Sequence, residues 1–506
     1  MFTRAFVCLV LLVLPALSGC VYYNTFYNAR SAASEAALLR ESRPPDGAPT
    51  SREKELLDRV IEKCAKILRD HPDSSWADDA LVLMAEALHQ QGKHESALSR
   101  LAELRQNHPE SGLRDRADYL RGAVLLGKGD PVGAEEALRP LADASPPNDL
   151  SDDAMVLVGK ARNARRHHDE AAETYLAALE RFPRSDRRAE VRILAAENYA
   201  DVGMLAEAAH QYDQVRREAA APKVAFEARV RLADTLVRLG DAGGALAVLE
   251  ELERRTADRD ALDRVLLLKG QAHELAGDLG AAVSAYESVT AARARTEGSA
   301  LALYRIGLIR RDREDDVDAA LEVFTRARDE SPRGEASRLA SRALEDLNAL
   351  TKHLEAIGRS EGREEAAADT TTAPPSPEET HADALHTSLL PSAEEPDAGP
   401  ASPDDELAEA RFLAAELLLF SMDRPEKALG YYRDVAALHP SSAFAPKAGL
   451  AAAWILERRM GDPVGAAQAY AEVAAAYPAT DYASFAEDAL ERLGADGDGG
   501  AQAPGP

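Results

Sequence analysis

The sequence predicts an all-α solenoid of stacked helical hairpins, and three observations carry that prediction. An alanine returns every thirty-seven residues at Ala97, Ala134, Ala171, Ala208, Ala245 and Ala282; Ala320 follows after thirty-eight, and Ala428 and Ala466, again thirty-eight apart, resume the series. Four residues after each lies a bulky side chain: Leu101, Leu138, Tyr175, Tyr212, Leu249, Tyr286, Phe324, Tyr432 and Tyr470. Three further on lies a third apolar position, from Leu104 and Leu141 through Ala178, Val215, Leu252, Val289 and Ala327 to Val435 and Val473. A period of this size marks a repeat architecture whose units bury their apolar faces against their neighbours.

Offsets of zero, four and seven place all three positions on one stripe of a helix. The alanine is small because another helix must cross close there. Five residues upstream a glycine recurs at Gly92, Gly129, Gly203, Gly240, Gly277 and Gly461, where the turn after a first helix needs positive φ. The second helix stops near a proline at Pro109, Pro146, Pro183, Pro332, Pro440 or Pro478. Proline has no N–H for the next helical bond, and it turns the preceding residue away from helix. His71-Pro72-Asp73-Ser74, His108-Pro109-Glu110-Ser111, Phe182-Pro183-Arg184-Ser185 and His439-Pro440-Ser441-Ser442 share a stop pattern whose Ser and Asp suit the N-cap of the next helix. The units around Ala208, Ala245 and Ala282 lack the proline, with Ala220, Ala257 and Ala294 in its place and Pro222 slightly late.

Glycine, alanine, aromatic, aliphatic and proline at these offsets resemble the tetratricopeptide repeat, whose usual unit is about thirty-four residues. The additional residues fall in the proline–serine connection. That longer linker is similar to the envelope branch of the family, which includes the outer-membrane assembly lipoprotein BamD and the cell-division coordinator YbgF. The resemblance covers residues 53–358 and 405–494 and implies a tetratricopeptide-repeat superhelix.

At the N-terminus, Arg4 precedes an apolar run over 5–14, then Pro15 and Leu17-Ser18-Gly19-Cys20. The run is too short to span a bilayer and has signal-peptide flanks. Leu-small-Gly-Cys resembles a bacterial lipobox, which implies removal of residues 1–19 and acylation of Cys20. Val21 in place of aspartate favours the outer membrane, facing the periplasm. Several acyl chains on one residue would anchor stably. Cys8 leaves with the signal peptide, so Cys64 alone remains; one period before Ala97 lies Val60, and Cys64 takes the buried bulky position.

Residues 20–52 hold the anchor, an aromatic segment and a first helix. Tyr22, Tyr23, Phe26 and Tyr27 suit either lipid headgroups or a docking site, while a helix over 25–40 would stack Phe26 on Ala29, Ala33 and Ala37. The main array is expected over 53–357 and closes with a capping helix from Glu335 to Ile357. Residues 358–404 carry 11 acidic side chains against Arg359 and Arg363 and read as a disordered acidic linker. A short array with its own cap occupies 405–494, and 495–506 is a frayed tail. Ala320 and Ala428 are 108 residues apart, about three periods, which favours one continuous superhelix with an insertion over two separate domains.

The net charge of −27 argues for a solvated acidic surface and against nucleic acid as a partner. No two of the 12 histidines are four apart, and Gly127-Lys128-Gly129-Asp130 lacks the phosphate-loop pattern. His167-His168-Asp169-Glu170 sits in an inter-helix turn, and Asp496-Gly497-Asp498-Gly499 lacks the later ligands of a calcium loop. No catalytic residue, metal or cofactor is assigned, and the chain is expected to be no enzyme.

By resemblance the first helix of each hairpin lines an inner, concave face. Its exposed positions are expected at Glu86, His89, Arg116, Tyr119, Lys160, Asn163, Glu197, Asp234, Gln271 and Glu274. Mixed charge there does not support a carboxylate clamp. The expected function is a lipid-anchored scaffold that binds proteins or peptides of the cell envelope, in outer-membrane or envelope assembly. The alternative is a non-enzymatic coordinator of peptidoglycan or cell-division machinery.

Overall fold

The computed structural model describes residues 25–43, 48–218, 221–369 and 403–498. Cys20, Tyr22, Tyr23, the signal segment, residues 370–402 of the acidic linker and residues 499–506 of the tail lie outside the described residues. The described residues form 22 α-helices and no strand. The chain divides into two compact units, Met1–Asp278 and Leu279–Pro506. The boundary therefore falls inside the expected array over 53–357, not at the acidic linker.

In the first unit, α1 (residues 25–41) pairs with α2 (Ser51–Asp70). Hairpins follow of α3 (Ala77–Gln90) with α4 (His94–Asn107), α5 (Arg114–Lys128) with α6 (Pro131–Ala142) and α7 (Ser151–Ala164) with α8 (His168–Arg181). Then come α9 (Arg188–Asp201) with α10 (Leu205–Glu218), α11 (Pro222–Leu239) with α12 (Ala242–Arg255), and α13 (Arg259–Ala276). We call the earlier helix of each hairpin A and the later B. On α1 the buried stack is Phe26, Ala29, Ala32 and Ala36, not Phe26 with Ala29, Ala33 and Ala37. Phe26 lies 5.0 Å from the ring of Trp76, which sets the helix phase. Cys64 is fully buried and unpaired, and burial pushes its thiol up to about 12.

The second unit holds α14 (Leu279–Ala292), α15 (Glu297–Asp312), α16 (Val317–Glu330) and the long α17 (Glu335–Asp369). After the insertion come α18 (Pro403–Glu416), which continues as a π-helical turn over Leu417–Ser421, and α19 (Pro425–Leu438). The chain closes with α20 (Ala445–Arg458), α21 (Pro463–Ala476) and α22 (Asp481–Asp498). Helix α17 departs from expectation twice. It runs to Asp369, past Ile357, because Glu364, Glu365 and Ala366 to Ala368 are good helix formers. Nor is it a terminal cap: it packs on α16 and α18, and its Leu344, Leu347 and Leu350 share one core with Phe324, Leu407 and Phe412. Its apolar stripe has neighbours on both sides.

All nine series alanines are fully buried. Each bulky partner four residues on is at most 3 % exposed, a burial worth roughly 1.5–3 kcal/mol per side chain. A second small-residue series lies twelve or thirteen residues upstream of each series alanine, on the A helix: Ala85, Gly122, Gly159, Ala196, Ala233, Gly270, Gly307, Ala415 and Ala453; three of its glycines seat a bulky side chain. A Cβ on Gly122 would lie 2.3 Å from Leu138 Cγ, on Gly159 2.4 Å from Tyr175 Cε1, and on Gly307 2.5 Å from Phe324 Cε1.

The turn inside each hairpin follows one rule. The residue five before the alanine has positive φ, and where it is not glycine it is Arg166 (φ 61°), Asp315 (φ 57°) or Asp423 (φ 52°). In thirty-seven-residue units the next N–H bonds a carbonyl five residues back, as Asp130 to Leu125 and Asp241 to Leu236, both 2.9 Å. In the longer units it reaches six back: Asp316 to Arg310, Arg424 to Leu418 and Asp462 to Leu456. The thirty-eighth residue therefore sits in this turn.

Helix ends between units are also resolved. Ser74, Ser111 and Ser185 accept from the N–H two residues on, making tight turns ahead of the helices; the N-caps proper, Trp76, Leu113 and Arg187, make no side-chain cap. The three units without the proline still stop, because the following helix is started firmly. Pro222 occupies the first turn of α11, Asp258 caps α13 through the N–H of Asp260 (2.9 Å), and Thr296 caps α15 through that of Ser299 (3.1 Å).

Candidate protein-binding face

The ten residues of the expected inner face sit on A helices of the first unit, between positions buried against the B helices. Only Arg116 among them is exposed; the other nine are half-buried. The reason is packing, since α3 packs on α5, α5 on α7, α9 on α11 and α11 on α13, so each A helix is partly covered by the next.

Much of the charge on this face is consumed between neighbouring A helices. Arg116 Nε donates to Glu86 at 3.0 Å, joining α5 to α3. Lys160 of α7 lies 3.8 Å from Glu190 of α9, which also accepts from Arg187 at 3.1 Å, and Arg187 pairs with Asp153. Glu197 of α9 pairs with Arg231 of α11 at 2.6 Å, and Glu227 of α11 takes both arms of Arg264 of α13 at 2.9 and 3.0 Å. Burial raises the Glu197 carboxyl, and Asp201 adds to this against the pull of Arg231. Burial likewise raises the Tyr119 hydroxyl, which lies near Asp153 and Arg187. Among the described residues, Asn163, Asp234 and Gln271 have no side-chain hydrogen bond or ion pair, and they lie half-buried on their A helices.

Such a surface presents internally neutralised charge with spare amide and carboxylate groups. Its exposed ion pairs can be rearranged at small cost, since each is worth at most about 1 kcal/mol. Among the described residues no three His, Cys, Asp or Glu side chains converge as a metal cluster.

Sequence reasoning missed a second feature. Val202, Met204, Leu239 and Leu275 are exposed by 40–45 % at or beside the A-to-B turns of successive first-unit repeats, and Val132 by 50 %. Val202 and Leu239 immediately precede turn glycines, which is the signal that would have found them. The A-to-B turn of α7 and α8 is basic instead, with Arg165 and Arg166. Behind it Glu135 of α6, 5 % exposed, accepts from Arg139 (2.7 Å), Arg162 (2.9 Å) and Arg165 (3.0 Å), which ties α7 to α6.

Family models of one repeat match parts of the chain. Tetratricopeptide-repeat models match residues 79–111, 231–297 and 267–335. Among solved structures, the C-terminal part of a tetratricopeptide-repeat protein from Cytophaga hutchinsonii aligns at 13 % identity and a TM-score of 0.41, covering 51 % of this chain and 98 % of its own. A tetratricopeptide-repeat protein from Parabacteroides merdae aligns at 15 % identity and 0.33, covering 52 % and 93 %. PilW, a type IV pilus biogenesis factor, aligns at 16 % identity and 0.33, covering 45 % and 98 %. No curated protein matches the sequence. The described residues are all-α helical hairpins, three stretches of which match the tetratricopeptide repeat, and proteins built from that repeat act as protein-interaction scaffolds.

Proposed function

We propose that the chain is a lipid-anchored scaffold of the bacterial envelope, held at the periplasmic face of the outer membrane through Cys20, where its A-helix face binds proteins or peptides of an assembly pathway. The observation that carries this reading is the Leu17-Ser18-Gly19-Cys20 sequence ahead of a chain otherwise given over to hairpin repeats. A membrane tether followed by stacked hairpins suits capture of a partner close to the bilayer. The resemblance to the envelope branch of the family supports the same placement.

The test is Cys20→Ser in cells. Acylation should be abolished and the protein should leave the membrane fraction. A variant that still pellets with outer membranes after a high-salt wash would remove the lipid anchor from the proposal. Gentle crosslinking of the anchored protein, followed by co-purification, then identifies the neighbours. Recovery of outer-membrane assembly or export components supports the pathway proposed; recovery of peptidoglycan or division enzymes alone would replace it with the coordinator role.

A further inference from the structure

The turn between α3 and α4 places two imidazoles face to face. His89 lies in the last turn of α3 and His94 opens α4, and Gly92 at φ 74° reverses the chain between them. Their Nδ1 atoms are 3.4 Å apart, with ring centroids at 5.4 Å and planes inclined by 53°. Aligned hairpins put Leu126 with Pro131, and Asn163 with His168, at the same two positions, so neither repeats the pair.

The separation distinguishes two uses of those atoms. An N–H···N hydrogen bond is normally nearer 3.0 Å, and 3.4 Å is long for one. Two imidazole nitrogens bound to one tetrahedral Zn²⁺ at about 2.0–2.1 Å are held roughly 3.3–3.4 Å apart, the edge of the tetrahedron. Neighbouring ligands on a square-planar Cu²⁺ would sit closer, about 2.9 Å. The geometry points to Zn²⁺: we propose that His89 and His94 form a two-imidazole zinc site at the α3–α4 turn, with water in the two remaining positions.

Two features suit the ion. Gly127 of α5 forms the wall of the site; a Cβ there would lie 3.0 Å from Cε1 of each ring, so glycine leaves the pair its room. The neighbouring Lys128 is occupied by Glu95 at 2.8 Å and so is partly neutralised. Cys64 is no competitor, because its thiol is fully buried and held protonated. A bound ion would tie the end of an A helix to the start of its B helix beside one end of the candidate binding face.

The experiment is zinc binding by the untagged full chain, measured by equilibrium dialysis against a competing indicator, with thermal melts in parallel. The wild type should bind one more Zn²⁺ than the His89→Ala/His94→Ala variant, and zinc should raise its melting temperature. Each single variant should weaken that equivalent at least about tenfold. Gly127→Ala should weaken it too, whereas His108→Ala should leave it intact. Equal stoichiometry and equal melting shifts in wild type and double variant would overturn the site. Should the histidine variants fold poorly, Co²⁺ added to the wild type decides: intense tetrahedral visible bands support the site, and only weak octahedral absorption rejects it.

Discussion

Arg424, at the start of α19, donates to the carboxylate of Asp315, 109 residues earlier, at 2.5 Å. It joins the turn of the α15–α16 hairpin to the turn of the α18–α19 hairpin. Lys427 Nζ reaches the other oxygen of Asp315 at 2.6 Å, and Arg424 also donates to the carbonyl of Arg311. Lys427 and Arg424 together hold the Asp315 carboxyl below the ordinary aspartate range. Asp315 is 59 % exposed and Arg424 only 16 %, so the two ends of the clamp are not equivalent.

Asp315→Asn should therefore cost little, at most about 1 kcal/mol, because solvent screens the pair and asparagine tolerates the left-handed backbone there. Arg424→Ala should cost more, since it also leaves the Arg311 carbonyl without this partner. Thermal melts of the two variants check the order. Equal effects would mean that the clamp is a surface contact without structural weight.

Gly159→Ala should destabilise the chain by about 1–3 kcal/mol, despite the gain of about 1 kcal/mol in helix propensity, because the new methyl meets the Tyr175 ring. Adding Tyr175→Leu should recover part of the loss. A double-mutant cycle from urea melts measures the coupling, and independent effects would show that the ring does not depend on the missing Cβ.

Arg166→Gly should stabilise by roughly 0.5–1 kcal/mol, since the position holds a left-handed backbone that six of the nine turns assign to glycine. The readout is the urea midpoint. A lower midpoint in the variant would mean that the Arg166 side chain contributes more than its backbone costs.

Glu135→Gln should lower stability at pH 7 by about 1–3 kcal/mol, a range reduced because its arginines are partly exposed. Burial alone would raise this carboxyl, but the hydrogen bonds from Arg162 and Arg139 outweigh it and hold it below the usual glutamate range. A depressed folded-state pKa stabilises fully above the unfolded value, near 4.3, and that stability is lost as pH falls through the folded value. The difference between wild type and variant should shrink as the pH falls below about 4. A constant difference across that range would assign the loss to packing rather than charge.

The helices were legible because their apolar stripe repeats in register, and even the three units without a stop proline end as helices should. Harder to see was what a bulky residue rests against. Gly122 and Gly159 look like weak points of a helix by propensity alone, and only the crossing helix reveals them as seats for Leu138 and Tyr175. Helix α17 misled for a related reason: sequence displays an apolar stripe but not how many neighbours share it. On the candidate face, residue types were readable, but the pairing of Glu197 with Arg231 or Glu227 with Arg264 depends on the spacing of adjacent repeats.

The six-residue reach in the turns at Asp316, Arg424 and Asp462 has a consequence for how such a chain tolerates change in length. A single added residue within a helix would rotate everything beyond it by about 100° and bring polar side chains into the core. Placed in the A-to-B turn, the same residue widens one hydrogen-bonded loop and leaves both helices in phase. The turn works as an expansion joint, so insertions and deletions of one residue have a single place in each repeat where they leave the stack intact.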